Sequence, residues 1–398
     1  MKAIILASGN GIRFLPLSKT TPKPLTRLFG KSILEHNLES LKGIVDEVFI
    51  VVGYLGDKIK ESLGDSYQGI KITYITDNEI AGTGNSAKLA ISHINDERVI
   101  IMNGDDLYNH KDIKKLVKRC PSIAVKKVLN PSNFGILTIE NEKVVEIEEK
   151  PQNPKSDLAN IGLYCFPKSI FDEPIEKSER GEYEITDYVK KLIASNSLNY
   201  IEASSWIPVS YPWDLFNMTQ VLFQNFKFKK EGKIEKGVTV KDNLHVGKNT
   251  IVKSGTYIEG PVYIGNNCKI GPNAYLRPFT IIEDNCSIGA SVEIKNSLIG
   301  FNTNINHLSY VGDSIIGSNV NLGAGFITAN LRHDGGTIKS SVKEILIDTK
   351  RTKFGTIIGD NVKTGISTIV YPGRKNMARK NNSSSRKSRK RYNLIFDN

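Results

Sequence analysis

Counting by sixes from Ile234 meets Val240, Val246, Val252, Ile258, Ile264, Ile270, Leu276, Ile282, Ile288 and Ile294. Eleven consecutive positions at one spacing are all Ile, Val or Leu, which is the signature of a repeat architecture. Each six-residue unit reads as one short strand plus a turn, with its single inward apolar residue filling the core of a triangular coil. Gly or Asn at the corners (Gly247, Gly265, Asn267, Gly271, Asn273, Gly289) tolerates the positive φ a tight corner needs. Such coils cannot bury their faces alone, so they stack. The count therefore predicts a β-solenoid from about residue 234. Its phase slips through Ser297–Gly300, resumes at Ile305 and Val311, again at Ile316 and Leu322, and returns at Ile358, Thr364 and Val370. Between them Asn330–Thr356, rich in Lys and Arg, breaks the rhythm and is expected to loop out of the coil.

A chain of 398 residues exceeds one ordinary core, so a second domain is expected ahead of the solenoid. Residues 1–230 alternate strand-like runs (Ala3–Leu6, Glu47–Val52, Ile72–Ile75, Val99–Met102, Ile123–Val128) with helix-like stretches (Leu34–Leu41, Ser86–His93, Lys111–Arg119). That alternation predicts a mixed or parallel α/β sheet covered by helices, with ligands at the carboxyl ends of its strands. The domains are expected at 1–230, 231–375 and a basic tail, 376–398. No apolar run reaches the length of a membrane span, and Met1 opens directly on a strand pattern without a signal peptide's basic flank. The four cysteines (Cys120, Cys165, Cys268, Cys286) form no C-x-x-C pair, which fits small buried residues in a reducing cytoplasm better than a disulfide or zinc framework.

The first strand runs into Leu6-Ala-Ser-Gly9-Asn-Gly11-Ile-Arg13. Closely spaced glycines let backbone N–H groups approach phosphate oxygens, and Arg13 adds a charged fork. Pro22-Lys23-Pro24 holds a lysine on stiff backbone, Gly82-Thr83-Gly84 makes a further glycine loop, and Asn103-Gly-Asp105-Asp106 ends a strand in carboxylates able to hold a magnesium ion against phosphates. With Phe134-Gly135, Glu149-Lys150-Pro151 and Asn160-Ile-Gly-Leu-Tyr164, this ordered set resembles the sugar-1-phosphate nucleotidylyltransferases over residues 1 to about 215. The resemblance implies that Gly9, Gly11, Arg13, Lys23, Gly82 and Thr83 hold a nucleoside triphosphate, that Asp105 binds Mg²⁺, and that Gly135, Glu149 and Asn160 hold the sugar. Arg13 and Lys23 would neutralise charge as a sugar phosphate oxygen attacks the α-phosphorus and pyrophosphate leaves. Two positions depart from the family. Where it has W-x-D-x-G, with its Asp as second metal ligand, this chain has Trp206-Ile-Pro208-Val-Ser210. Asp77 stands nearest the place of the Gln that reads a pyrimidine base. Impaired nucleotidylyl transfer, or altered base choice, is expected from them.

Within the repeat sits His307-Leu-Ser-Tyr310-Val-Gly-Asp313, followed by Asn321-Leu-Gly-Ala324-Gly and Asn330. The hexads require none of these polar residues. The repeat itself resembles the left-handed β-helix of hexapeptide-repeat transferases, usually trimers with active sites between subunits. The polar segment, with Arg277 and Lys295 ahead of it, resembles the acetyltransferase half of the bifunctional N-acetylglucosamine-1-phosphate uridyltransferase/glucosamine-1-phosphate acetyltransferase family, and its archaeal branch in particular. That likeness covers residues 1 to about 373 and implies an acetyl-CoA-dependent N-acetylation. His307 would be the base taking a proton from the sugar amine. Arg277 and Lys295 would hold the sugar phosphate, and Tyr310, Asn321 and Asn330 the sugar and its amine. Ala324 and Asn330 would line the acetyl-CoA site. A lysine from a looped-out segment normally completes such a site, and Lys339 is the nearest candidate.

The formal charge of +12 invites a nucleic-acid reading, but the tail from Asn376 carries seven Lys or Arg and one acid, so half of the net charge sits there. The hexad fails at the same point. A single inserted adenine after Lys375 would account for both: one choice of codons for Asn-Met-Ala-Arg-Lys-Asn-Asn, read one base later, encodes Ile-Trp-Pro-Gly-Lys-Thr-Thr, which would continue the solenoid. The expectation is a frameshifted tail and a missing final coil. The sequence thus favours a cytoplasmic, trimeric, bifunctional transferase acting on small molecules, with neither membrane nor nucleic acid as partner. A nucleotidylyltransferase with a purely structural solenoid and a non-catalytic scaffold are the alternatives.

Overall fold

The structure is a computed structural model that describes residues 1–178 and 181–377. The chain divides into two compact units. The first comprises Met1–Gly11, Thr20–Thr26 and Lys31–Ser210; the second comprises Ile12–Lys19, Arg27–Gly30 and the chain from Tyr211 onward.

The first unit is built on a ten-stranded mixed sheet. Its centre is parallel: strand Lys2–Ala7 lies between Glu47–Val52 and Arg98–Asn103, and Ile70–Thr76 lies beyond Glu47–Val52. Strands at the centre of such a sheet are apolar on both faces, and successive residues separate cleanly. Ala3, Ile5, Val48, Ile50, Ile100 and Met102 pack with Leu34 and Leu38 of helix Ile33–Leu41 and with Ile113 and Leu116 of helix His110–Val117. Ile4, Leu6, Phe49, Val51, Val99 and Ile101 face Ala87 and Ala90 of helix Thr83–Ile91 and Tyr188 and Val189 of helix Ile185–Ala194. The hairpin Gly135–Glu140/Lys143–Glu149 and the long strand Leu158–Pro167 join antiparallel.

In the second unit, short parallel strands form three sheets of six, seven and seven strands, each rung contributed by a successive coil. This is the left-handed parallel β-helix. Rungs step by eighteen residues at first, as Val252 to Ile270 to Ile288. From Val246 to Ile294 every hexad residue is fully buried, and Ile234 and Val240 pack on the end of that core. The phase slip is a shortening of the coil: Ile282 pairs with Ile299, and Ile299 with Ile316, one residue less each time. Asparagines at one corner, Asn249, Asn267, Asn285, Asn302 and Asn319, all take positive φ near +57°. Asn249 Nδ2 donates to Asn267 Oδ1 at 3.2 Å, and Asn302 Nδ2 to Asn319 Oδ1 at 3.1 Å. The corner reading holds for Asn267, Gly271 and Asn273, but Gly247, Gly265 and Gly289 need correction. None of the three is left-handed. A Cβ there would meet the next coil at 2.6, 2.4 and 1.9 Å, so close stacking rather than φ requires glycine.

The excursion between Thr328 and Thr356 carries an antiparallel hairpin, Lys339–Val342 with Ile345–Asp348, whose Ser340 hydroxyl donates to Gly373 O. Among the described residues no helix is long and apolar enough to cross a membrane. Cys165, Cys268 and Cys286 are buried and Cys120 half-buried, all as free thiols. The expectation about the tail falls mainly on residues from 378 onward, outside those described. Ile288→Ala removes a fully buried side chain with coils on both sides that cannot collapse around the gap. It should lower stability by about 3 kcal/mol, read from the denaturant midpoint of the solenoid's unfolding.

Candidate active sites

In the first unit, strand Lys2–Ala7 ends at the glycine loop. Gly9 is exposed, and a Cβ there would meet nothing within 4 Å, so the backbone is open to a close-approaching ligand. Gly11 takes a φ of +59°, where glycine is unstrained. Lys23 Nζ lies 2.5 Å from Asp105 Oδ2. These two expected site residues, far apart in sequence, are thus brought together. Asp106 is buried beneath the segment that departs from W-x-D-x-G: its carboxylate accepts from Trp206 Nε1 (3.3 Å) and Val209 N (3.2 Å). Burial, with Asp105 beside it, pushes the Asp106 carboxyl up to about 7, against the opposing pull of Lys23. Pro208 supplies no oxygen from its side chain, and among the described residues no three His, Cys, Asp or Glu converge as a metal cluster. A donor set of one part-exposed carboxylate, Asp105, which Lys23 also meets, suits Mg²⁺, commonly held by one or two carboxylates together with the substrate's phosphates. Asp105 is the residue that would hold it.

Gly135, Glu149 and Asn160 also converge. Gly135 pairs with Glu149 across the hairpin, and a Cβ on Gly135 would stand 2.7 Å from Glu149 Oε2 and 3.7 Å from Asn160 Cβ. A register shift between Asn160 and Tyr164 re-aims the strand there, and the Asn160 amide donates to Tyr164 Oη (2.8 Å). Asp77 is buried and committed to its own loop: Oδ1 accepts from Glu79 N and Ile80 N, and Oδ2 from Ser86 Oγ. The glycines of Gly82-Thr83-Gly84 have a packing reason. A Cβ on Gly82 would sit 2.4 Å from Tyr183 O, Gly84 N donates to Tyr183 O, and Thr83 Oγ1 accepts from Ile185 N at the start of helix Ile185–Ala194.

Arg13 belongs to the second unit, in a short 3-10 turn, Ile12–Phe14. It is exposed, with its guanidinium 6.0 Å from the centre of the Tyr211 ring, which stacks on Trp213 at 4.6 Å.

On the solenoid, Arg277 and Lys295 fall on neighbouring rungs of one face: Tyr275 pairs with Glu293 and Leu276 with Ile294, so the next residues are level. Lys295 pairs in turn with Gly312. A Cβ on Gly312 would stand 2.4 Å from Tyr310 Oη and 2.8 Å from Asn330 Nδ2, so its missing side chain makes room for both. Asn330 Nδ2 donates to Tyr310 Oη at 3.2 Å. Arg277 Nη1 donates to Glu293 Oε1 at 2.9 Å, a partner that holds its guanidinium pKa above the usual value. His307, exposed, ends strand Asn304–His307. The ladder pairing Asn304 with Asn321 and Ile305 with Leu322 brings Ala324 level with His307, where Gly325 N donates to His307 O. Lys339 lies apart from this group: it pairs with Asp348 in the hairpin and runs close against Gly373. Asp313, present in the motif but given no role from the sequence, lies at the centre of the cluster, accepting from Asn296, Asn330 and Lys295.

Residues 2–223 match the family described as nucleotidyl transferase, and residues 258–388 the family described as GMPPB C-terminal domain. The bifunctional protein GlmU of Methanocaldococcus jannaschii is 42% identical over 378 residues, covering 94% of this chain and 91% of its own. A bifunctional sugar-1-phosphate nucleotidylyltransferase/acetyltransferase of Sulfurisphaera tokodaii is 39% identical, covering 94% of this chain and 93% of its own. A crystal structure from Bacillus anthracis, described as a glucose-1-phosphate thymidylyltransferase, matches with a TM-score of 0.52 at 28% identity, over 58% of this chain and 98% of that one. Similarity running through both halves at this coverage means that the chain belongs to the family of bifunctional sugar-1-phosphate nucleotidylyltransferase/acetyltransferases.

Proposed function

We propose that the solenoid N-acetylates an amino-sugar 1-phosphate of the glucosamine 1-phosphate type, and that the α/β half joins a sugar 1-phosphate to a nucleotide with release of pyrophosphate. As a family member the chain is an acetyltransferase and nucleotidyltransferase of nucleotide-sugar biosynthesis, with acetyl-CoA and a nucleotide among its substrates. The observation that carries the finer reading is the cluster on one solenoid face. Two cations on adjacent rungs, Arg277 and Lys295, stand beside the Tyr310–Asn330 pair, and His307 lies on a neighbouring strand. In this reading the cations take the phosphate, and Tyr310, Asn321 and Asn330 orient the sugar. The amine nitrogen bonds to the acetyl carbon as the C–S bond breaks. His307 takes the amine proton while the thiolate leaves, and a backbone N–H near Ala324 steadies the oxyanion.

In the α/β half, Gly9, Gly11 and Lys23 take the triphosphate, Asp105 a Mg²⁺ ion, and Gly135, Glu149 and Asn160 the sugar. When bound, the metal supplies charge neutralisation on the phosphates. Asp77, Gly82 and Thr83 shape the base pocket. A homotrimer is the assembly the family resemblance implies, and exposed Leu308 (70%), Ile327 and Ile369 on the solenoid offer apolar surface for an interface between copies. Lys339 is the candidate to complete the acetyl-transfer site in that assembly. The location proposed is the cytoplasm.

Product analysis with glucosamine 1-phosphate, acetyl-CoA and each nucleoside triphosphate tests the whole. Acetylated sugar phosphate and a nucleotide sugar are both expected. Absence of the acetylated product would leave a structural solenoid, and absence of both a scaffold. Pro208→Asp should raise pyrophosphate release roughly tenfold, about 1.4 kcal/mol, by supplying the carboxylate that the W-x-D-x-G pattern carries at this position. A full wild-type rate that the substitution leaves unchanged would remove Pro208 as a cause of weak activity.

A further inference from the structure

Asp313 is a carboxylate only 3% exposed, and three side-chain donors converge on it. Its Oδ1 accepts from Asn296 Nδ2 at 2.7 Å; its Oδ2 accepts from Asn330 Nδ2 at 2.5 Å and lies 3.4 Å from Lys295 Nζ. Its backbone ties the excursion as well, since Gly355 N donates to Asp313 O (2.8 Å) and Phe354 N to Asn330 O (3.0 Å). Both ends of the loop that interrupts the repeat are therefore fastened around this residue.

Coil geometry alone does not ask for a carboxylate. Asp313 sits at a left-handed corner, φ +49°, a conformation open to Asp and Asn. One coil earlier the same corner, φ +43°, is filled by Asn296. A buried charge is costly unless paired and hydrogen-bonded, and Asp313 meets that condition through Lys295 and the two amides, with the Arg351 guanidinium adding a further attractive charge.

We propose that Asp313 is a positioning residue for acetyl transfer, holding the Asn330 amide and the Lys295 ammonium in the orientation in which they meet the amino-sugar phosphate. This rests on the reading of the solenoid as the acetyl-transfer site. A carboxylate accepts on both oxygens, so it satisfies Asn296 on one side and Asn330 with Lys295 on the other. An amide of the same shape turns an NH₂ group toward one of those sides and gives Lys295 no counter-charge. Asn330 then loses its fixed direction toward Tyr310.

The test is steady-state N-acetylation by the full-length chain, wild type against Asp313→Asn, varying glucosamine 1-phosphate and acetyl-CoA separately. Asn keeps the corner and the volume. A roughly tenfold rise in KM for the sugar phosphate is expected, with KM for acetyl-CoA and the nucleotidylyl rate within about twofold of wild type. Asn330→Ala combined with Asp313→Asn should cost less than the product of the single losses, because Asp313 acts through Asn330. Wild-type kinetics in Asp313→Asn, or a fall in kcat with both KM values unchanged, overturns the positioning role. If Asp313→Asn loses both activities, Asp313→Glu replaces it. That variant keeps the charge but displaces the oxygens, and a wild-type KM for the sugar phosphate there also overturns the role. A wild type that transfers no acetyl group at all instead overturns the acetyl-transfer reading on which the role depends.

Discussion

His307→Ala is expected to lower N-acetylation by roughly 10²–10⁴-fold, the range a positioned general base contributes, while leaving nucleotidylyl transfer and assembly intact. The side chain is exposed at the end of strand Asn304–His307, and the inward residue of that strand, Ile305, is fully buried and carries the packing. Truncating an exposed imidazole removes little buried area, so the loss should be chemical. The pH dependence of kcat/KM separates the two possibilities. Loss of a base flattens the rising limb, whereas a packing defect scales the whole profile down. Unchanged turnover would refute the assignment of the base.

The second large effect is expected at Asp105. Asp105→Asn should reduce pyrophosphate release by roughly 10²–10³-fold, the scale on which removal of a single electrostatic contact to a developing charge is felt. N-acetylation by the same protein should be unchanged. The asparagine can still accept from Lys23, which now lies 2.5 Å from the carboxylate, so the local fold has a means of surviving. A higher magnesium concentration should be needed for half-maximal rate, which a purely structural role would not produce. Asp106 is the control that fixes the assignment. Its carboxyl is buried, pushed up to about 7 and bonded to Trp206 and Val209, so Asp106→Asn should act through stability rather than through the metal dependence.

The extent to which the sequence was legible differs between the halves for a physical reason. In the solenoid, one inward residue per six-residue unit repeats without a break from Ile234 to Ile294, and the core at Val246–Ile294 follows it residue by residue. The α/β half has no such period. Strand Glu47–Val52 was legible because a central strand is apolar on both faces, here without a break from Val48 to Val52. Helices Gly56–Leu63 and Ile185–Ala194 were missed, as were the hairpin from Gly135 to Glu149 and the strand from Leu158 to Pro167. The two helices and the hairpin interleave their apolar residues with charges, whereas strand Leu158–Pro167 carries no charge but is broken by Gly162 and pairs with strands far away in the chain. Glycines misled for a related reason. Gly247, Gly265 and Gly289 read as turn formers, but the approach of the neighbouring coil is what excludes a side chain.

The sequence alone determined the β-helix, the α/β class of the first half, and the motifs that mark both proposed sites, because each is carried by residue type at fixed local spacing. Only the tertiary structure decided which of those residues meet. Lys23 reaches Asp105 across 82 positions, Gly135 stands against Glu149 and Asn160, and Asp77 turns its oxygens into its own loop. Stacking by seventeen residues rather than eighteen puts Asp313 beside Lys295, Asn296 and Asn330. A count by sixes can locate a polar interruption in the repeat. Which donors surround a buried carboxylate there depends on how the coils stack and where the excursion re-enters.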